Sequence, residues 1–192
     1  MEFAKKLSEN SYYSDKRAAT SKGDITRNHK NSKLSELLVS AYISNKFGCL
    51  IRPDFEIYNE KNKSWDADLP YKDRGLDFPH NIHVKSTDNV AIARVGQKSW
   101  VFQLSNKDGR GGKDALLKSS SEDDWVAFCY VDEKETCVRV VLEWFLPWKD
   151  IIEQDLLKDP YYDKFKGIKL CVYDEDLKEV FKNEPHPSQQ VS

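Results

Sequence analysis

Apolar positions along the chain change their repeat, and each change predicts an element. Between residues 31 and 47 they fall at Leu34, Leu37, Leu38, Ala41 and Tyr42, the i, i+3, i+4, i+7, i+8 spacing of one buried helical stripe. Val39, Ile43 and Phe47 lie around the opposite side with Glu36, so this helix is expected to be covered on more than one face. Asp24 or Asn31 offers an N-cap and Gly48 a stop. Further on, the period shortens to two or gives way to short continuous apolar runs. That predicts strands over 49–58, 64–69, 81–86, 99–104, 125–131, 137–145 and 167–173. The polar segments 59–63 and 132–135 read as turns, Pro53 as a bulge or edge, and Pro147 as the end of a strand. Short helices are expected around 115–117, 149–157 and 175–182.

The 192 residues suit one domain spanning 1–192, with 1–23 as a helix or N-terminal arm and 184–192 as a frayed tail. Hydrophobic residues make up 39% and charged residues 32%, the balance of a globular chain. No apolar run approaches the ~18 residues of a membrane span, and the Met1-Glu2-Phe3-Ala4-Lys5-Lys6 start lacks the apolar region of a signal peptide. A cytoplasmic location is the expectation. Cys49, Cys129, Cys137 and Cys171 form no C-x-x-C pair and read as reduced core residues.

The formal net charge of −2 is unevenly laid out. Residues 1–33 hold eight Lys/Arg against four Asp/Glu, residues 94–118 six against two, and residues 119–163 four against twelve. A chain with basic and acidic faces can steer a polyanion to one side.

Candidate chemistry gathers between Trp65 and Ser86. Asp66 and Asp68 are two residues apart on one expected strand and so face the same way. On the next strand His83 and Lys85 share a side while Ile82 and Val84 point to the other. Carboxylates beside a Lys can hold a divalent ion and a water next to a phosphate.

Asp68, then fifteen residues (83 − 68) to His83-Val84-Lys85, resembles the motif of the PD-(D/E)XK nuclease superfamily. That signature is an Asp, a connection of this length, and Glu/Asp-x-Lys on the adjacent strand. His83 departs from it, standing where the family has a carboxylate. The resemblance implies an α/β fold with a restriction-endonuclease-like core, a mixed central β-sheet flanked by helices. It also implies hydrolysis of DNA phosphodiester bonds with Mg2+ or Mn2+, and action as a homodimer. Asp68, His83, Lys85 and Glu36 are the catalytic candidates it points to. Asp68, His83, Glu36 and Asp66 are the metal-ligand candidates, and Gln103 is an accessory polar residue on a later strand.

Imidazole suits manganese better than magnesium, so His83 can ligate, act as acid or base, or hydrogen-bond a water. The glycine-rich stretch around Lys107, Arg110 and Lys113 is a candidate phosphate-contacting loop. Two other readings stand beside this one: a non-catalytic nucleic-acid-binding or assembly module on the same fold, and a nuclease directed at RNA.

Overall fold

The computed structural model describes residues 22–48, 52–55, 67–70, 80–104, 113–119 and 123–183. Its elements in order are helix α1 (Lys22–Phe47), strand β1 (Ile82–Asp88), helix α2 (Asn89–Val95), strand β2 (Ser99–Gln103), helix α3 (Ala115–Ser119), strands β3 (Trp125–Glu133) and β4 (Val138–Pro147), helix α4 (Trp148–Glu153), a 3-10 turn (Asp163–Phe165), strand β5 (Lys169–Tyr173) and helix α5 (Asp174–Val180). The fold is mixed α/β. β1 runs parallel to β3 from the pair Ile82 and Trp125 to the pair Asp88 and Val131, and β3 and β4 form an antiparallel hairpin. A parallel pair needs a long crossover, here supplied by α2, β2 and α3.

The resulting three-stranded sheet, ordered β1-β3-β4, is mixed, and β2 pairs antiparallel with β5 in a separate two-stranded sheet. Alternation along the strands divides the core. Ile82, Val84, Ala127 and Cys129 pack against Val39 and Ile43 of α1. Val126 and Phe128 turn the other way, to Trp100 and Phe102 of β2, Trp148 and Ile151 of α4, and Leu177 of α5. Each Val, Ile, Leu or Phe side chain among them, withdrawn from water, stabilises the fold by about 1.5–3 kcal/mol. A bulge at Glu143 lets β4 serve both cores. Phe128 pairs with Trp144 but Cys129 pairs with Leu142, so the extra residue sends Leu142 to the helix side and Trp144 to the opposite side.

Several expectations from the pattern are corrected. α1 already runs through Asp24 and Asn31, so neither is its N-cap, and the ends of β1 and β3 hold its N-terminal half. Arg27 Nε lies 3.3 Å from Asp88 Oδ2, Asn31 Nδ2 donates to the same oxygen at 3.2 Å, and Lys30 pairs with Glu133. Its buried stripe is not the Leu34, Leu37, Leu38, Ala41, Tyr42 set. Asn31, Ser35, Glu36, Val39, Ser40 and Ile43 are buried with Tyr42, while Leu37 is 45% exposed and Ala41 is exposed. With apolar residues on every side of the helix, fit against the sheet decides which stripe is covered. Cys129 and Cys171 are buried free thiols, but Cys137 is exposed beside the hairpin turn. Helix α2 was not expected: the Asp88 carboxylate accepts from Ala91 N–H at 2.8 Å, and Gly96 ends it at φ +89°.

The strands expected over 81–86, 99–104, 125–131, 137–145 and 167–173 are present with shifted ends. Of the strand expected over 49–58, only 52–55 is described, and it is irregular. Of the 64–69 strand, Leu69 forms an antiparallel bridge with Ile82. No helix among the described residues is long and apolar enough to cross a membrane.

Candidate active site

The edge of β1 away from β3 organises the site. Leu69 and Ile82 exchange main-chain hydrogen bonds at 3.0 and 3.1 Å, which sets Asp68 opposite His83 in an antiparallel register. Leu69 and Ile82 both enter the core beneath α1, and Asp68, next to them at the sheet edge, is within electrostatic reach of both Glu36 and His83. The main-chain pairing stops there, and the Asp68 carboxylate takes over from it, Oδ2 accepting the Val84 N–H at 2.8 Å. This bond fixes the carboxylate at the sheet edge. A carboxylate has two oxygens and about four lone-pair sites, so acceptor capacity remains for a ligand.

Glu36 reaches the same edge from α1. It is 2% exposed, accepts from Ser32 Oγ at 3.2 Å through Oε1 and from Lys33 Nζ at 2.6 Å through Oε2. Burial disfavours its charged form and the neighbouring Asp68 charge adds to the effect. Together they outweigh Lys33 and Ser32 and push the Glu36 carboxyl up to about 7. Near neutral pH this carboxyl therefore exchanges a proton readily. A cation between Glu36 and Asp68 would displace that proton.

His83 and Lys85 lie on the face of β1 away from α1, and two acidic residues absent from the sequence-based site meet them there. His83 Nε2 faces Asp124 Oδ2 at 3.4 Å, and both side chains are buried. Burial holds the imidazole below its ordinary value, helped by Lys85 and opposed by Asp68, Asp124 and Asp114. The ring is thus neutral at physiological pH. Lys85 Nζ donates to Asp114 Oδ2 at 2.6 Å and lies 5.1 Å from the centre of the Phe102 ring.

Asp114 owes its position to the main chain: its N–H donates to Gln103 O at 2.8 Å. Gln103 accordingly supports the site through its backbone. On β2 its side chain alternates with the buried Phe102 and shares the side of Val101. Asp124 is placed by the parallel register of β1 on β3, and no sequence signal marks which side chain a parallel neighbour will meet.

The structure thus brings Glu36 and Asp68 together, keeps His83 within the electrostatic reach of Asp68, and directs Lys85 to Asp114. Asp66, Lys107 and Arg110 lie outside the described residues, and Lys113 is exposed next to Asp114. Among the described residues, the four carboxyl groups of Glu36, Asp68, Asp114 and Asp124 outnumber the two ammonium groups of Lys33 and Lys85 that pair with Glu36 and Asp114. Such a surplus attracts cations and repels a bare phosphate.

Among the described residues no three His, Cys, Asp or Glu side chains converge as a ligand set. That does not conflict with magnesium, which commonly takes one or two carboxylates, waters and the substrate's own phosphate oxygens. The Glu36 and Asp68 pair fits that smaller requirement. No family model, curated protein or solved structure matches this chain.

Proposed function

We propose that this protein is a metal-dependent endonuclease that hydrolyses DNA phosphodiester bonds on a restriction-endonuclease-like core. The observation that carries the reading is the Glu36 and Asp68 pair: two carboxylates from separate parts of the chain, near enough that the Asp68 charge adds to the burial that pushes the Glu36 carboxyl up to about 7, beside the strand that bears His83 and Lys85. Glu36 and Asp68 would hold a Mg2+ or Mn2+ ion, with Asp66 as a further candidate from the same stretch. A bound ion of this kind supplies positive charge to the phosphate oxygens and to the water that attacks.

The remaining work falls to the chain's own side chains. Lys85, on leaving Asp114, offers its ammonium to the charge that develops on the phosphate as the new P–O bond forms and the P–O bond to the leaving oxygen breaks. The neutral His83 accepts a hydrogen bond from the attacking water. Lys113, with Lys107 and Arg110 of the same stretch of sequence, contacts the backbone phosphates. Homodimerisation would place two such sites against the two strands of a duplex.

Incubation of plasmid DNA with the purified protein and Mn2+ or Mg2+ tests this. Nicking by wild type, lost in both Lys85→Ala and Asp68→Asn, is the expected result. Wild-type protein that leaves the plasmid intact with either ion overturns it, and a parallel digestion of RNA decides between the two polymers. One observation favours a different class: Lys85 is already satisfied by Asp114 and His83 by Asp124, as in a module that binds nucleic acid or assembles on it without cutting. DNA binding that persists with no cleavage by wild type would establish that alternative.

A further inference from the structure

The residue facing His83 is as informative as the histidine itself. Asp124 immediately precedes β3 and is 6% exposed, and its surroundings fix it from several directions. Asn81 Nδ2 donates to Oδ1 at 3.1 Å, the Asp124 main-chain oxygen accepts Trp148 N–H at 2.7 Å, and the adjacent Trp125 N–H donates to Asn81 O at 2.8 Å. Oδ2 is left turned to His83 Nε2 at 3.4 Å. The neighbouring residues in the chain are tied to β1 and α4, so the carboxylate cannot drift away from the imidazole without disturbing the start of the sheet.

We propose that Asp124 is a positioning residue that sets His83 in the tautomer with hydrogen on Nε2 and so reserves the Nδ1 lone pair for the site. An ionised carboxylate only accepts hydrogen bonds. A neutral imidazole carries hydrogen on one nitrogen alone, so the nitrogen facing Asp124 is the one that bears it. The other nitrogen then accepts the hydrogen bond from water, or the metal, in the reading given above. A carboxylate behind a functional imidazole commonly sets its tautomer and ring orientation, and losing it typically costs about 10- to 100-fold in activity or metal affinity.

The tautomer can be read without any assay of nuclease function. In protein labelled with 15N at histidine and held well above the imidazole range, long-range proton–nitrogen correlation distinguishes a protonated ring nitrogen from a bare one. Wild-type His83 is expected to show hydrogen on Nε2, and Asp124→Asn, whose amide can also donate, is expected to move population to the Nδ1–H form. A wild-type ring with hydrogen on Nδ1, or an averaged mixture of the two forms, overturns the proposal. So does an Asp124→Asn spectrum identical to wild type. If Asp124→Asn does not fold, the wild-type spectrum alone decides.

The functional consequence rests on the nuclease reading: kcat in Asp124→Asn should fall about 10- to 100-fold with KM unchanged. A change confined to KM would overturn the positioning role. An inactive wild type removes the functional reading while the tautomer spectrum still decides the placement.

Discussion

Replacing Glu36 by Gln isolates the electrostatic cost on which the proposed site depends. A carboxyl whose pKa rises from 4.5 to about 7 on folding binds more protons in the native state than in the unfolded state across that window. Native stability therefore falls as pH rises through it. At about 1.4 kcal/mol for each pH unit separating the two values, the loss above neutrality is about 3 kcal/mol. Gln is close in shape to the protonated acid and never ionises.

In metal-free protein, Glu36→Gln should match wild type below about pH 4.5 and exceed it by about 3 kcal/mol at about pH 8. For a chain of this size that is a rise in Tm of roughly 6–12 °C. Urea unfolding followed by tryptophan fluorescence, repeated from about pH 4 to about pH 8 in the presence of a chelator, measures it. The same substitution removes half of the carboxylate pair, so the stabilised variant should also lose metal-dependent nicking. A variant no more stable than wild type at high pH, with the same dependence on pH, would show that Glu36 is not held in the buried, like-charged setting described.

Asp68→Ala should lower the Glu36 pKa by removing the neighbouring negative charge; carboxyl NMR titration reads this, and an unchanged midpoint would separate the two residues. Because burial depresses the His83 pKa, the native state takes up this proton later than the unfolded chain, so stability through His83 is present above about pH 6.5 and lost as pH falls through the folded value. His83→Gln should blunt that loss in an acid unfolding curve. His83→Glu should move metal preference from manganese toward magnesium by making the site richer in oxygen, and a preference that does not move would remove His83 from the ligands. Neutralising Lys107, Arg110 and Lys113 together should weaken DNA binding and reduce the slope of log affinity against log salt by about one for each phosphate that is no longer neutralised; an unchanged slope would place the DNA-binding surface elsewhere.

Local rules written in the chain determine much of its secondary structure. Gly48 ends α1 at φ +67°, where a residue without Cβ is favoured. Alternation through 82–88 puts Ile82 and Val84 on one face of β1 and His83 and Lys85 on the other. Two apolar runs around a polar turn become the β3 and β4 hairpin. Helix α2, with its Asp88 cap and Gly96 stop, was not read from the pattern, because seven residues are too few to show a helical period.

What depended on distant partners was not legible. The covered stripe of α1 was settled by the sheet beneath it, because a helix with apolar residues on every side carries no unique buried face. The bulge at Glu143 was settled by the need of β4 to feed two cores. Asp114 and Asp124 reached Lys85 and His83 through a main-chain bond to Gln103 and a parallel register, neither of which leaves a periodic trace. The elevated Glu36 carboxyl arose only when folding took water away from it and brought the Asp68 charge near it from another part of the chain. Residue types can nominate a carboxylate, but desolvation and proximity are properties of the packed molecule.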